Sequence, residues 1–190
     1  VTKVNMDMFQ KSYDIFVREQ TVEYENTIVV FEITLSNLKA SGEIDEQDFM
    51  DRAELLCSLG HTVLISKFQE YYKLVEYLSG GILEAFGKLF FKDLKVYLYP
   101  MKDPETGQVL TSNNVKVHPR MKELYKFFKY NGKVMDIIDY DPEVLHIFSR
   151  DVLKKIIKKD EGWEKELPEG IAEIIKEKNL FTRKVLEEKE

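Results

Sequence analysis

Three groups of residues in this 190-residue chain have types and spacings that could do chemistry. The first is Ser149, Arg150 and Lys154, at the start of a stretch in which Val152, Leu153, Ile156 and Ile157 form one apolar stripe. That period predicts a helix, with Ser149 as its N-cap. A helix start presents unsatisfied backbone N–H groups and a partial positive charge, so a phosphate can settle there. Ser149 would add a hydroxyl, Arg150 a two-pronged guanidinium and Lys154 a further charge one turn on. The same residues also fit a plain capped helix whose lysines at 154, 155, 158 and 159 face water. The second group, Asp136, Asp139 and Asp141, could hold magnesium at the end of a strand or simply make a polar turn before Pro142. The third, Glu32, Thr34 and Ser66, lies at the ends of two β-branched runs.

Other chemistry is excluded by what the sequence lacks. The three histidines, His61, His118 and His146, are far apart in sequence. There is no Gly-x-Gly-x-x-Gly, Walker loop, Gly-x-Ser-x-Gly or zinc-type Cys/His spacing. Basic residues number 28 and acidic residues 34, a net charge of −6. Such a chain gains nothing from counterion release, so nucleic acid is not an expected partner. No apolar run approaches the roughly 18 residues of a membrane span. Cys57 is the single cysteine, which rules out an internal disulfide and points to the cytoplasm. Cys57 is expected as a buried, inert thiol, and Trp163 as a pin for the loop between two tail helices.

These groups must be positioned by elements that the hydrophobic pattern predicts. Helices are expected at residues 5–19, from Asp45 to Leu59, at 68–78 and 82–91, and from Pro119 to Tyr130. A tail of two more follows, the second opening at Pro168 and ending at Asn179. Residues 27–35 and 61–66 read as strands covered on both faces, 94–99 as an alternating strand and 133–138 as a short one. Residues 104–114 read as a loop, and Gly42 as a break before Asp45. Tyr97 and Tyr99, and Tyr71, Tyr72 and Tyr77, are expected in core or interface. Strands alternating with helices of this length imply an α/β domain with a mostly parallel sheet and helices on both faces. Residues 1–145 would be the core and 146–190 a helical tail packed on the same domain. At Ser79-Gly80-Gly81 two helices meet without a strand between them. Either the glycines turn tightly or a strand-bearing segment is missing there.

The tail resembles that of the nicotinamide/nicotinate mononucleotide adenylyltransferases, whose Ile-Ser-Ser-Thr-x-Ile/Val-Arg stretch opens a helix on ATP phosphates. Ile147, Ser149, Val152 and Ile156 keep that pattern, while Arg150 replaces its Thr and Leu153 its phosphate-binding Arg. More widely, 30–38, 64–74, 80–87 and 146–149 resemble the C-terminal half of a group of longer bacterial proteins labelled TonB-dependent receptor or nicotinamide mononucleotide adenylyltransferase. No set of strands suited to an outer-membrane barrel is evident. The resemblance implies a Rossmann-like sheet, phosphate binding by Ser149, Arg150 and Lys154, ATP and magnesium as cofactors, and pairing with an N-terminal half. That half would have to carry the His-x-Gly-His element of adenylyl transfer, because none occurs here. A different class of expectation is a non-catalytic interaction module that pairs with its own N-terminal half or with another copy of itself, as a homo-oligomer. A third, fainter one is a relic of the haloacid-dehalogenase phosphatases, with Glu32 and Thr34 in the place of their Asp-x-Asp and Ser66 in that of their Ser/Thr.

Overall fold

Val, Ile and Thr dominate the first two strands because their branched Cβ atoms fit a pleated sheet better than a helix. In the computed structural model, which describes residues 1–19, 22–34, 46–68, 70–91 and 94–181, these strands are β1 (Val30–Thr34) and β2 (Thr62–Ser66). They pair in parallel, Val30 opposite Thr62 and Thr34 opposite Ser66. Helix α2 (Glu46–Ser58) lies on the connection between them, as parallel pairing requires. Gly42 and Asp45, expected to break the chain and start this helix, lie outside the described residues. The strands are not covered on both faces, since Val30 and Ile65 are 42% and 52% exposed. Among the described residues each sheet has two strands, two of the three sheets being parallel, so the chain is mixed helix and strand with small parallel sheets.

The chain divides into two units, one of residues 1–7, 16–69 and 147–190, the other of 8–15 and 70–146. Residues 147–190 fall in the same unit as residues 1–7 and 16–69. Helix α1 (Lys3–Val17) contributes residues to both units.

The first unit carries most of the buried apolar residues. Ile171, Leu55, Val152 and Ile175 are all at most 2% exposed, and Trp163, Leu167 and Leu180 are buried with them. Fully burying one such aliphatic side chain contributes about 1.5–3 kcal/mol. In the tail, helix α6 (Ser149–Lys158) and helix α7 (Ile171–Glu177) present the stripes that the sequence predicts. A 3₁₀ turn, Trp163–Glu166, lies between them. Pro168 does not open the last helix. Its carbonyl instead accepts from Ile171 N–H in a turn through Gly170, whose φ of 80° suits a residue without Cβ.

One buried polar residue, Asp51, was not expected inside. It is 4% exposed and sits on α2, accepting from Gln47 Nε2 at 2.7 Å and from the Phe181 backbone N–H at 2.6 Å. Lys178 pairs with Glu54 at 2.7 Å beside it. Cys57, expected inside, is exposed. Leu55 and Leu56 point inward, which turns position 57 on the same helix toward solvent.

In the second unit α3 (Tyr71–Ser79) and α4 (Ile82–Phe91) form a helical hairpin. Gly80 caps α3 in the left-handed region at φ 92° and Gly81 follows at φ 140°, so the two glycines make the turn. Further on, β3 (Val96–Leu98) pairs in parallel with β6 (Val134–Asp136) across α5 (Lys122–Tyr130). Within the expected loop a small antiparallel hairpin forms, β4 (Met101–Lys102) with β5 (Val109–Leu110). Asp103 accepts from the Glu105 and Thr106 N–H groups at its turn. Those bonds hold the Asp103 carboxyl below its usual range. Among the described residues, the buried apolar ones here are Ile137, Val144 and Leu145.

We expect Ile171→Ala to lower unfolding free energy by about 2–5 kcal/mol in a denaturant titration, through lost burial and the cavity left. Asp51→Ala should cost about 1–3 kcal/mol by leaving the Phe181 N–H and the Gln47 amide unpaired. Asp51→Asn, which keeps an acceptor oxygen, should cost less than Asp51→Ala.

Candidate functional site

The start of α6 forms from a sequence that changes from extended to helical at Phe148. Phe148, not Ser149, is the N-cap, with extended φ −101° and ψ 116°, and its carbonyl accepts from Asp151 N–H and Val152 N–H. Ser149 is the first helical residue, one position too late to cap. Its hydroxyl donates to Asn5 Oδ1 at 3.1 Å and lies 3.2 Å from Thr2 Oγ1. Thr2, only 2% exposed, also directs its N–H and its hydroxyl to Asn5 Oδ1, each at 2.9 Å. The starts of α1 and α6 therefore meet at one cluster, in which Thr2 and Asn5 use the Ser149 hydroxyl that a phosphate would take.

The charges around this start are arranged accordingly. Asp151 stands in the first turn, where a carboxylate is favoured by the partial positive charge of the helix end. Lys154 pairs with Asp151 at 3.3 Å, and both are more than half exposed. Such a pair contributes at most about 1 kcal/mol. Arg150 is exposed and makes no ion pair among the described residues. The structure thus puts Ser149, Arg150 and Lys154 in the first two turns of α6, with Ser149 and Lys154 engaged by protein and Arg150 open to solvent. Thr2 and Asn5 were missed by sequence reasoning. The signal was the Thr-x-x-Asn spacing just ahead of a helical pattern, which is that of reciprocal capping.

At the carboxyl ends of β1 and β2 the third group does come together. Residues 32 and 34 share a face with 66, because side chains alternate along a strand and Thr34 lies opposite Ser66. The Ser66 hydroxyl donates to Glu32 Oε1 and accepts from Phe68 N–H, while Thr34 Oγ1 donates to the Phe68 carbonyl at 2.8 Å. These bonds tie the chain leaving β2 back onto β1. The hydroxyl points at a carboxylate, and among the described residues no group of three or more His, Cys, Asp or Glu side chains that could hold a metal is present.

The aspartates of the second unit do not converge. Asp136 receives both the N–H and the hydroxyl of Ser112, at 2.7 and 2.6 Å, and so clamps the loop that Tyr125 and Lys129 also hold through the Ser112 carbonyl. Burial pushes the Tyr125 phenol above its ordinary pKa, helped by the Asp136 charge. Asp139 pairs with Lys11, and Asp141 caps a short 3₁₀ turn. Each carboxylate has its own protein partner, as a polar turn requires and a magnesium site does not. Of the histidines, His61 lies against the Phe31 ring at 4.4 Å and His118 accepts from Arg120 N–H.

A cavity of about 620 Å³ lies beside Trp163. Gly162, at φ 89°, turns the chain so that the indole enters the core. Lys176 places its ammonium 5.2 Å from the ring centroid while pairing with Glu164 at 2.8 Å. The bond from Lys176 holds the Glu164 carboxyl below the usual range. No family model, curated protein or solved structure matches the chain.

Two outcomes follow from these contacts. In a double-mutant cycle, Asn5→Ala and Ser149→Ala should couple by about 0.5–1.5 kcal/mol, the worth of one shared hydrogen bond. Because the Glu164 pKa is depressed on folding, its contribution is present above the ordinary carboxylate range and lost as pH falls through the depressed value. Lys176→Gln should move the Glu164 titration upward, as read by carboxyl-carbon NMR.

Proposed function

We propose that this chain is a protein-interaction module that pairs with a second copy of itself through the α3–α4 hairpin. The observation that carries this reading is the exposure of Tyr71, Tyr72, Tyr77 and Leu78 on α3 and of Ile82, Leu83 and Phe86 on α4, all between 51% and 78%. The tyrosines, expected in core or interface, are thus not in the core of this chain. At roughly 150–250 Å² for a whole aromatic side chain, the four aromatic residues among these seven expose on the order of 500 Å². The largest apolar patch of an ordinary monomer is about 300–600 Å². A stable interface takes about 800 Å² from each partner, so these four with Leu78, Ile82 and Leu83 supply a large part of what a dimer needs.

Charge supports a self-complementary partner. Glu70, Glu76 and Glu84 are set against Lys73 and Lys88, so the hairpin can meet its own copy without strong repulsion. Two hairpins related by a two-fold axis would bury these side chains as a four-helix bundle does. Tyr71, Leu74, Val75 and Leu78 on α3, and Ile82, Leu83 and Phe86 on α4, have the spacing of such a seam.

Sedimentation or light scattering across about 1–100 μM should show a dimer. The double variant Leu83→Glu/Phe86→Glu should weaken it at least about 100-fold, near 3 kcal/mol, while circular dichroism stays that of the folded chain. A monomer at every concentration would remove this reading, and a mixed complex formed in preference to the dimer would replace the occupant.

A second reading, nucleotide binding by a diverged nicotinamide mononucleotide adenylyltransferase-like domain with a Rossmann-like sheet, is supported by one specific observation. The N-terminal ends of α1 and α6 meet beside the exposed Arg150, so two partial positive charges and a guanidinium lie together. Under this reading ATP and nicotinamide mononucleotide, with magnesium, raise the melting temperature. A ligand at 100 times its dissociation constant adds about 2.7 kcal/mol. Arg150→Ala should abolish the shift. No shift at millimolar nucleotide would end this reading and leave the dimer untouched.

A further inference from the structure

We infer that the cavity beside Trp163 is a binding site for a small organic ammonium ion, which takes the place that the Lys176 side chain holds over the indole. The site lies wholly in the first unit and is independent of the α3–α4 hairpin. Its volume, about 620 Å³, is in the range of small-molecule pockets. Ile156, Ile175 and Trp163 make the apolar part of its wall, and Asp160, Glu161 and Glu164 bring three carboxylates to it.

The electrostatics favour a cation. The three carboxylates outnumber the two lysines on the wall, Lys159 and Lys176. Helices α6 and α7 both end here, at Lys158 and Glu177, so their partial negative ends add to the same sign. Lys159 and Asn179, just past those ends, are held at positive φ of 58° and 52° and also line the cavity. A side chain rarely adopts that conformation, and here it turns the chain sharply at both helix ends, which leaves the space between them open.

The indole already holds a cation. Lys176 Nζ stands 5.2 Å from the Trp163 centroid with Glu164 Oε1 as its counter-ion at 2.8 Å. This is the arrangement by which aromatic rings bind ammonium groups. Yet the two side chains are 59% and 38% exposed, so the pair is held weakly. An ammonium with methyl groups matches the ring better than lysine, because it loses less hydration on leaving water. It would keep the Glu164 counter-ion, and Lys176 would swing into solvent.

Trp163 is the only tryptophan in the chain, so its emission reports this site alone. In a choline titration at constant ionic strength, we expect a saturable change in Trp163 emission and a shift of the indole N–H resonance. The neutral isostere 3,3-dimethylbutan-1-ol should give neither. Lys176→Gln removes the internal competitor and should tighten choline at least about 3-fold, whereas Glu164→Gln should weaken it by a similar factor. Circular dichroism checks that both variants remain folded. A purely structural tryptophan would not bind more tightly on losing Lys176. The inference is overturned if choline produces no saturable change in wild type and in Lys176→Gln. It is equally overturned if the alcohol binds as well as choline, which would make the cavity simply apolar.

Discussion

A carboxylate taken out of water must be met by donors, and Asp51 is where the first unit meets that demand. With 4% of its surface exposed, it accepts from Gln47 one turn earlier on the same helix and from the Phe181 N–H at the far end of the tail. These partners are 4 and 130 residues away in sequence, so one side chain joins a local helix to the last described turn. The bond has the right length only when α7 lies along α2, which also brings Lys178 to Glu54. Burial of Ile171, Ile175 and Leu180 supplies the non-directional driving force, and Asp51 sets which register it is spent in.

The two units differ in how far their apolar residues are covered. The tail helices alternate buried Val152, Ile156, Ile171 and Ile175 with exposed lysines and glutamates, the pattern of a helix that faces one core. In the second unit α3 and α5 bury no residue fully, and aromatic side chains on α3 stand in solvent. The polar bonds there are local clamps, Asp136 on Ser112 and Asp103 on its own turn, which organise loops without adding apolar burial. The α3–α4 hairpin thus leaves far more apolar surface exposed than the tail helices of the first unit do.

The parts legible in the sequence were those decided over a few residues. The helical stripes at Tyr71–Ser79, Ile82–Phe91 and Ser149–Lys158 and the β-branched run at Thr62–Ser66 emerge close to their expected bounds, because the periodicity of apolar residues acts within one or two turns. Gly80 and Gly81 turn where a left-handed backbone is needed. Errors arose where one residue decides orientation. Ser149 lies inside its helix instead of at the cap, Cys57 faces out because its two leucine neighbours face in, and Pro168 closes a turn ahead of α7. A shift of one residue rotates a side chain by about 100° on a helix, more than enough to exchange core for solvent.

What the sequence by itself determined is therefore the kind of element at each place, the polar character of the surface and the absence of familiar catalytic motifs. These depend on composition and short-range spacing. Only the tertiary structure decided that Thr2 and Asn5 meet Ser149, that Glu32 receives the Ser66 hydroxyl, and that Lys176 rests on Trp163. It also decided that Asp136, Asp139 and Asp141, close in sequence, go to three different partners. The physical reason is one of range. Propensity and amphipathicity are summed along the chain, whereas a hydrogen bond or a ring contact is made or missed within an ångström, at a distance fixed by how whole elements pack.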